Sequence, residues 1–327
     1  MKYRPLGGTG LEVSVVGFGC GMIGGLLVRG EYPAMRRAVA RAVELGVNYF
    51  DTAPLYGSGQ SEVNLGAILR ELRPDVLVGT KVRLAPAELE RIGPAIAESV
   101  EASLRRLGRE RVDLLHLHNA FTTQPEAGTA PMTVDRLEAV VQAFQALERQ
   151  GKIRFWGITA LGETDALLRA VETGSLHTIQ SAYNLLNPTA GMPAPAGFPF
   201  QDYRQLIDRA GARPMGVIAI RILAGGALSG TTDRHPTAAR SVTPIASATE
   251  YAADVARARR FGFLVEEKIV ESLVEAAIRF AVGTPAVSTA MVGLSSLEQL
   301  EQAVTYANRG PLPSGVLGRI RDAQAGS

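Results

Sequence analysis

Three polar residues of this 327-residue chain stand where short hydrophobic runs end. Asp51 follows VNYF, Lys81 follows VLVGT and His118 follows VDLLHL. Tyr56 is the exception, since it lies five residues beyond Asp51. In a parallel α/β barrel the carboxyl ends of the strands converge on one face, so we expect these four side chains to meet over a single substrate.

These residue types are suited to proton transfer at a carbonyl group. A tyrosine with an ordinary pKa of about 10 keeps its proton near neutrality and is a poor acid unless a nearby cation favours the phenolate. Lys81 is the natural cation, and a buried lysine needs a counter-charge that Asp51 can supply. His118 can hydrogen-bond the carbonyl oxygen and stabilise the alkoxide that develops as hydride arrives at carbon. The set therefore predicts carbonyl reduction or the reverse alcohol oxidation.

Short β-like runs alternate with longer helix-like segments along the chain. The predicted strands cover residues 15–18, 49–51, 76–81, 112–118, 153–159, 178–182, 215–220 and 290–292. The predicted helices cover residues 33–45, 62–72, 94–107, 134–150, 164–173, 203–209, 265–282 and 297–307. Several strands are continuously apolar, as parallel strands covered on both faces should be. The pattern predicts an (α/β)8 TIM barrel formed by a single domain over residues 1–327.

The segments outside this alternation divide between the two mouths of the barrel. YRPLGGTGLEVS combines two β-prone pieces with a glycine-rich turn, and it predicts a hairpin that plugs the amino-terminal mouth. Two long connections, residues 185–200 and 223–263, follow predicted strands. We therefore expect them on the carboxyl-terminal face, as lids or walls of a substrate cleft.

Composition excludes several classes of function. Lys+Arg 34 nearly balances Asp+Glu 32, so nucleic acid is not an expected partner. The single cysteine, Cys20, cannot form an intramolecular disulfide, and it cannot build a metal cluster with four scattered histidines. The first residues contain no apolar run of signal-peptide length, and no stretch approaches the roughly 20 apolar residues of a membrane span. We therefore expect a cytoplasmic protein without a bound metal or a membrane partner.

The chain resembles the aldo-keto reductase family in six segments spread over residues 3–302. These segments are YRPLGGTGLEVSVVGFG, GVNYFDTAPLYGSGQSE, GTKV, RVDLLHLHN, GKIRFWGIT and VGLSSLEQLEQ. The succession of GVNYFDTAPLYG, GTKV and LHLHN is far more specific than a lone glycine motif. The resemblance implies an (α/β)8 barrel that uses NADPH or NADH without metal or flavin. It also implies a catalytic tetrad formed by Asp51, Tyr56, Lys81 and His118.

The residue pattern alone does not identify the catalytic histidine. His116 and His118 are two residues apart, so both would point to the same side of a strand. The family pattern places the catalytic histidine last before the loop, which is His118 here. Asp51 taken alone fits a helix cap or a turn residue equally well, but its place among three further strand-end groups favours an active site.

The resemblance also implies contacts to the nicotinamide ring. Family members hold its amide with a Ser or Thr and an Asn after the fifth strand and with a Gln on the sixth. This chain has Thr159 and Gln180 at these positions, but Ala160 where Asn is usual. Many members place an aromatic ring against the nicotinamide after the seventh strand, where this chain has Ile220 or Arg221. We expect apolar packing to replace that ring.

Two further segments are predicted to bind the rest of the cofactor. LAGGALSG resembles the family's pyrophosphate loop, in which glycines let backbone amides approach phosphate oxygens. Its candidate residues are Leu223, Gly225 and Gly226. The segment after the last barrel strand supplies the remaining candidates, which are Gly293, Ser295, Ser296 and Gln299.

The choice between NADP(H) and NAD(H) depends on that last segment. It carries no cation, whereas relatives that prefer NADPH often have Lys and Arg there. Hydroxyl groups and a helix amino end can still bind a 2′-phosphate, but Glu298 would disfavour it if the carboxylate lay close. The family as a whole favours NADP(H), with NAD(H) as the alternative.

The expected partner is a small-molecule carbonyl compound or alcohol. A reductase of aldehydes or ketones is the primary prediction. An NAD-dependent aldose dehydrogenase is the alternative, because the opening and the YNLLNP segment are most similar to bacterial members that include aldose and galactose dehydrogenases. A cofactor-sensing regulatory subunit is the non-enzyme alternative, since some members of the fold are accessory subunits of membrane channels. The intact tetrad favours the enzyme, and no pattern predicts the oligomeric state.

Overall fold

The computed structural model describes residues 1–124 and 132–325, and its centre is a closed barrel of eight parallel strands. The strands are β1 (Tyr3–Pro5), β2 (Glu12–Ser14), β3 (Val16–Gly19), β4 (Tyr49–Asp51), β5 (Leu77–Val82), β6 (Val112–Leu117), β7 (Ile153–Thr159), β8 (Thr178–Ala182), β9 (Gly216–Ile220) and β10 (Thr289–Gly293). Strands β3 to β10 pair in sequence order, and β10 closes the barrel by pairing with both β9 and β3. The predicted (α/β)8 TIM barrel is confirmed.

Helices surround the barrel and fill the connections between its strands. They are α1 (Leu26–Arg29), α2 (Tyr32–Glu44), α3 (Gln60–Leu72), α4 (Ile92–Leu107), α5 (Val134–Arg149), α6 (Thr164–Glu172), α7 (Leu206–Gly211), α8 (Tyr251–Ala258), α9 (Phe263–Glu266), α10 (Leu273–Gly283), α11 (Leu297–Asn308) and α12 (Ser314–Ala325). Within the two described ranges, no helix has the length and the apolar character needed to cross a bilayer.

Three predictions about these helices were wrong in detail. The predicted helix over residues 265–282 is two helices, because Lys268 has a left-handed φ of 59° and the Ser272 side chain caps the start of α10. The predicted helix over residues 203–209 begins only at Leu206, since the two preceding residues also have positive φ. The connection over residues 223–263 is not an irregular loop, because it contains α8 and two 3-10 turns.

The amino-terminal hairpin closes the bottom of the barrel, as predicted. β1 and β2 pair antiparallel, and Leu6, Leu11 and Val13 are buried against the side chains inside the barrel. The interior side chains in this cluster include Tyr49, Leu114, Ile218 and Met291. Because apolar side chains fill this end, only the opposite mouth is available for chemistry.

A glycine in β7 makes room for two polar side chains inside the barrel. Gly157 pairs in register with His116 on one side and with Thr178 on the other. The His116 imidazole crosses over it, with Nε2 3.0 Å from Thr178 Oγ1. A Cβ on Gly157 would lie 2.0 Å from the Thr178 carbonyl oxygen, so no larger residue fits without moving β8.

We expect Gly157→Ala to lower the free energy of unfolding by at least about 2 kcal/mol, because the added methyl group overpacks the barrel interior. Denaturant unfolding followed by circular dichroism measures this change. Gly93→Ala is the control, since Gly93 lies in α4 with nothing within 4 Å of the added carbon. An equal effect of the two substitutions would contradict the steric argument.

Candidate active site

A buried ion pair between Asp51 and Lys81 lies at the carboxyl end of the barrel. Asp51 ends β4, and Lys81 lies on the neighbouring strand β5. Lys81 Nζ donates to Asp51 Oδ2 and also to the backbone carbonyl of Thr52, at 2.9 Å. Burial acts to lower the pKa of Lys81, but the charges of Asp51 and Tyr56 outweigh burial and raise that pKa. The lysine is therefore an ammonium group at neutral pH.

The second oxygen of the Asp51 carboxylate is also fully engaged. Oδ1 accepts hydrogen bonds from the Tyr49 hydroxyl at 3.1 Å and from Gln180 Nε2 at 2.8 Å. Sequence reasoning missed Tyr49 and the Thr52 carbonyl as partners of the pair. Tyr49 has a sequence signal, because a residue two positions before Asp51 on a strand points to the same face. The carbonyl of Thr52 has none, since it belongs to the backbone.

Tyr56 lies beside this ion pair, in the connection between β4 and α3. Lys81 Nζ is 4.8 Å from the centroid of the Tyr56 ring. Burial raises the pKa of Tyr56 above its ordinary value, and the Lys81 charge opposes that rise only in part. The hydroxyl group is therefore protonated at neutral pH, and the ammonium can stabilise a phenolate once the proton has left.

His118 lies directly after β6 and faces Tyr56. Its backbone N–H donates to the Val82 carbonyl at 2.7 Å, which continues the pairing of β6 with β5 by one residue. The His118 and Tyr56 rings meet edge to face, with centroids 6.4 Å apart. The Nδ1 atom of His118 is buried and bonds to none of the described residues, so it can interact with a bound molecule.

The structure therefore brings Asp51, Tyr56, Lys81 and His118 together, whereas His116 lies within the barrel against Thr178. Burial, assisted by the Lys81 charge, lowers the pKa of both His116 and His118 to about 3. Each imidazole is consequently neutral across the physiological pH range.

The residues expected to contact the nicotinamide join the same network. Thr159 Oγ1 donates to Gln180 Oε1 at 3.1 Å, and both side chains are buried. The Gln180 amide thus connects Thr159 to Asp51. Ala160 is buried and has no polar side-chain atom, so it cannot provide the amide contact that an asparagine would.

The end of β9 and the following turn form another part of the rim. Ile220 ends β9 and packs against the apolar cluster inside the barrel. Arg221 follows with a left-handed φ of 55°. Leu223 begins a 3-10 turn in which Gly225 and Gly226 have φ values of 68° and 108°. Left-handed glycines of this kind occur in loops whose backbone approaches phosphate groups.

The remaining predicted cofactor residues gather at the amino end of α11. Gly293 ends β10, and the Ser295 hydroxyl donates to the Gly24 carbonyl at 2.8 Å. The Ser295 backbone N–H donates to Gln299 Oε1 at 2.8 Å. Ser296 caps the helix by accepting from the Gln299 backbone N–H. The start of α11 is therefore held by hydrogen bonds among its own residues and by one to the Gly24 carbonyl.

Glu298 turns its carboxylate towards this same helix start. Hydrogen bonds from Ser296 and from its own backbone N–H lower the pKa of Glu298, and the charges of His235 and Arg37 act in the same direction. An anionic side chain therefore already interacts with the positive end of the α11 dipole.

The described residues contain no cluster of metal-ligating side chains and no thiol with a lowered pKa. Among them, no group of three or more His, Cys, Asp or Glu side chains could hold a metal ion. Cys20 is buried, and burial raises the pKa of its thiol well above the ordinary range, so its reactive thiolate form is suppressed.

Comparison with known proteins identifies the family. The chain matches the Aldo/keto reductase family over residues 15–325, and it therefore belongs to that family. Its members are NAD(P)H-dependent oxidoreductases that act on small-molecule carbonyl compounds.

Several relatives cover almost the whole chain. L-galactose dehydrogenase of Arabidopsis thaliana is 29% identical over 309 residues, which are 93% of this chain and 87% of the relative. A putative voltage-gated potassium channel subunit beta of Schizosaccharomyces pombe is 28% identical and covers the same shares of the two chains, 93% and 87%. The holo form of the aldo-keto reductase AKR11C1 from Bacillus halodurans has a TM-score of 0.72 at 25% identity, covering 99% of this chain and 96% of its own.

The neutral state of the two barrel histidines is open to direct measurement. We expect the NMR signals of the imidazole Cε1 protons of His116 and His118 to keep their chemical shifts between about pH 8 and about pH 5. His116→Asn and His118→Asn variants assign the signals. A change of chemical shift centred near pH 6.5 in either signal would show that this imidazole titrates with the ordinary pKa of histidine. That result would contradict a pKa of about 3.

The lowered pKa values of His116 and His118 also predict how the stability of the protein changes with pH. An unfolded histidine takes up a proton below about pH 6.5, whereas folded His116 and His118 do so only near a pKa of about 3. The unfolded chain therefore binds more protons in this window, and these two groups make the free energy of unfolding decrease as the pH falls.

Proposed function

We propose that this protein reduces aldehydes or ketones with a reduced nicotinamide cofactor and that Tyr56 donates the proton. The observation that carries the proposal is the position of the Tyr56 ring, 4.8 Å from Lys81 Nζ and 6.4 Å from the centre of the His118 ring. A carbonyl oxygen that reaches the Tyr56 hydroxyl would also lie near the neutral His118 imidazole. When bound, the cofactor supplies the hydride.

Each member of the tetrad then has a distinct role. His118 orients the carbonyl oxygen, and Tyr56 transfers its hydroxyl proton to that oxygen as negative charge develops there. Lys81 stabilises the phenolate that remains on Tyr56. Asp51 fixes the Lys81 ammonium group and balances its charge, so that the cation costs less to bury.

The protonation state of Tyr56 favours the reductive direction at neutral pH. Because burial raises its pKa, the hydroxyl is a proton donor at neutrality and not a base. Alcohol oxidation would require the phenolate to accept a proton, and that form becomes abundant only at alkaline pH.

The residues on the rim are suited to a dinucleotide. Gln180 Nε2 has a second N–H beyond the one given to Asp51, and we assign it and Thr159 to the nicotinamide amide. Backbone groups of Leu223, Gly225 and Gly226 would hold the pyrophosphate, since the two glycines have left-handed conformations. The start of α11 would hold the adenosine end through Gly293, Ser295, Ser296 and Gln299.

Tyr56→Phe removes only the hydroxyl group, and we expect it to lower kcat for aldehyde reduction by about 100-fold or more. Binding of NADPH and NADH, followed by nicotinamide fluorescence, should be retained. Tyr203→Phe is the control, because Tyr203 is also buried but lies beside α7. Near-normal turnover in Tyr56→Phe would rule out Tyr56 as the proton donor.

Glu298 is proposed to set the preference between the two cofactors. A carboxylate at the start of α11 repels a 2′-phosphate in that position, so we propose that both cofactors bind and that Glu298 weakens NADP(H). The family preference for NADP(H) is thereby reduced in this chain.

The charge of Glu298 can be removed without changing its shape. We expect Glu298→Gln to increase the affinity for NADPH relative to NADH by about two- to fivefold, as the loss of one charge at a helix terminus implies. Dissociation constants from fluorescence titration give this ratio. Glu301→Gln removes the same charge further along α11, where Glu301 pairs with Arg41, and should leave the ratio unchanged. An unchanged ratio in Glu298→Gln would contradict the assignment.

An aldose dehydrogenase is the second candidate, and it is favoured by the similarity to a plant enzyme named L-galactose dehydrogenase. Turnover of L-galactose with NAD, tested beside simple aldehydes with NADH, separates the two activities. We favour a regulatory subunit less, because the buried ion pair of Asp51 and Lys81 and the tyrosine beside it are the groups that the proposed proton transfer needs.

A further inference from the structure

Arg221 occupies an unusual backbone position at the mouth of the barrel. It is the residue directly after β9, and its φ of 55° lies in the left-handed region that a non-glycine residue rarely adopts. Its carbonyl oxygen accepts hydrogen bonds from Asn184 Nδ2 at 2.9 Å and from the Ala224 backbone N–H at 2.7 Å. The surrounding structure therefore holds a conformation that costs free energy, a feature that clusters at ligand-binding sites.

The side chain of Arg221 is poorly satisfied for a half-buried guanidinium group. An arginine has five N–H donors, yet the one hydrogen bond that this side chain makes to the described residues runs from Nη1 to the Thr243 carbonyl at 3.3 Å. No carboxylate of the described residues lies within salt-bridge distance of it. Burial also lowers the pKa of Arg221.

Three other partly buried arginines do not share this state. Arg106 pairs with Glu62, and Arg257 pairs with Asp254 while its guanidinium stacks on an aromatic ring. Arg4 donates three hydrogen bonds to backbone carbonyls at the bottom of the barrel. At these three positions the fold compensates a partly buried guanidinium, whereas at the mouth it leaves most of the donors of Arg221 without a partner among the described residues.

Arg221 lies at the same mouth of the barrel as the proposed catalytic groups. It directly follows β9, and Asp51, Lys81 and His118 lie at or next to the carboxyl ends of β4, β5 and β6. A second guanidinium, that of the exposed Arg83 after β5, is close enough to lower the pKa of His118. Lys81 is already paired with Asp51, whereas neither Arg221 nor Arg83 forms an ion pair with a described carboxylate.

We propose that Arg221 binds an anionic group, a carboxylate or phosphate, on the same substrate molecule whose carbonyl oxygen lies at Tyr56 and His118. The natural substrates are then acidic carbonyl compounds such as oxo acids, and not neutral aldehydes or sugars. This inference rests on the proposed reductase activity. A planar guanidinium with free donors matches a carboxylate or phosphate in two parallel hydrogen bonds, which adds orientation to charge attraction.

The competing anion is the phosphate of the cofactor. Arg221 Nη1 lies 3.3 Å from the position that a Cβ on Gly225 would occupy, so the glycine turn is also within its reach. The experiment must therefore separate the substrate from the cofactor.

The test compares acids with their uncharged amides of the same shape. The probes are glyoxylate, succinic semialdehyde and 4-carboxybenzaldehyde, each against its amide, with initial rates measured in the wild type, Arg221→Gln, Arg221→Lys and Arg213→Gln. Arg213 is the matched control, because it precedes β9 at the opposite end of the barrel. For at least one acid we expect the ratio of kcat/KM between acid and amide to fall by about 10- to 100-fold in Arg221→Gln. Arg221→Lys should lower this acid-to-amide ratio less than Arg221→Gln does. Arg213→Gln should leave the ratio at its wild-type value.

Two outcomes would overturn the inference. The first is an unchanged acid-to-amide ratio in Arg221→Gln for all three pairs. The second is an equal loss for acids and amides together with weaker NADPH and NADH binding by fluorescence, which would assign Arg221 to the cofactor phosphate. Reduction of the amides by the wild type tests the proposed function separately, since absence of turnover with every probe would count against the reductase itself.

Discussion

The ion pair between Asp51 and Lys81 is the interaction on which the rest of the site depends. The Asp51 and Lys81 side chains are only 7% and 2% exposed, so their charges are costly to bury, and further hydrogen bonds offset that cost. Tyr49 and Gln180 bond to the carboxylate, and the Thr52 carbonyl bonds to the ammonium. The ammonium is thereby held in one place, beside a tyrosine whose proton it can help to release.

Small residues inside the barrel make this arrangement possible. Gly79 is the register partner of Asp51, and a Cβ at that position would lie 2.5 Å from the Tyr49 hydroxyl oxygen. Gly157 similarly leaves room for His116 to reach Thr178 below the mouth. With apolar side chains of the hairpin filling the lower end, the polar groups concentrate at the upper end. The rim then adds two charged groups of opposite sign, Arg221 directly after β9 and Glu298 at the start of α11, which we assign to selectivity.

Much of the fold was predictable from the sequence, because buried parallel strands have a local signature. The apolar runs predicted each barrel strand to within one residue at either end. Helix ends were harder, since the break between α9 and α10 depends on the positive φ of Lys268, a residue type that gives no such signal. The spacing of apolar residues along the sequence cannot predict a backbone conformation that tertiary contacts impose.

The residues of the candidate site were also only partly predictable from the sequence. The four tetrad residues were recognisable because their types and strand-end positions are local properties of the sequence. Tyr49 could have been included by the alternation of side chains along β4. The unpaired state of Arg221 and the direction of the Glu298 carboxylate could not be predicted, because each depends on which distant groups the fold brings near. Thr243 and Asn184, for example, are far from Arg221 in sequence yet bond to it.

We propose that a protonated, buried Tyr56 and not a histidine gives up the proton, and the first experiment is the pH dependence of kcat/KM in both directions. With Tyr56 as the donor, aldehyde reduction is nearly independent of pH from about 6 to about 9 and declines only as the phenol ionises, whereas alcohol oxidation rises with pH. The Tyr56→Phe variant should lack both profiles. A reduction rate that falls as the pH rises through about 6.5 would contradict the account, because it would require a proton donor with the ordinary pKa of histidine.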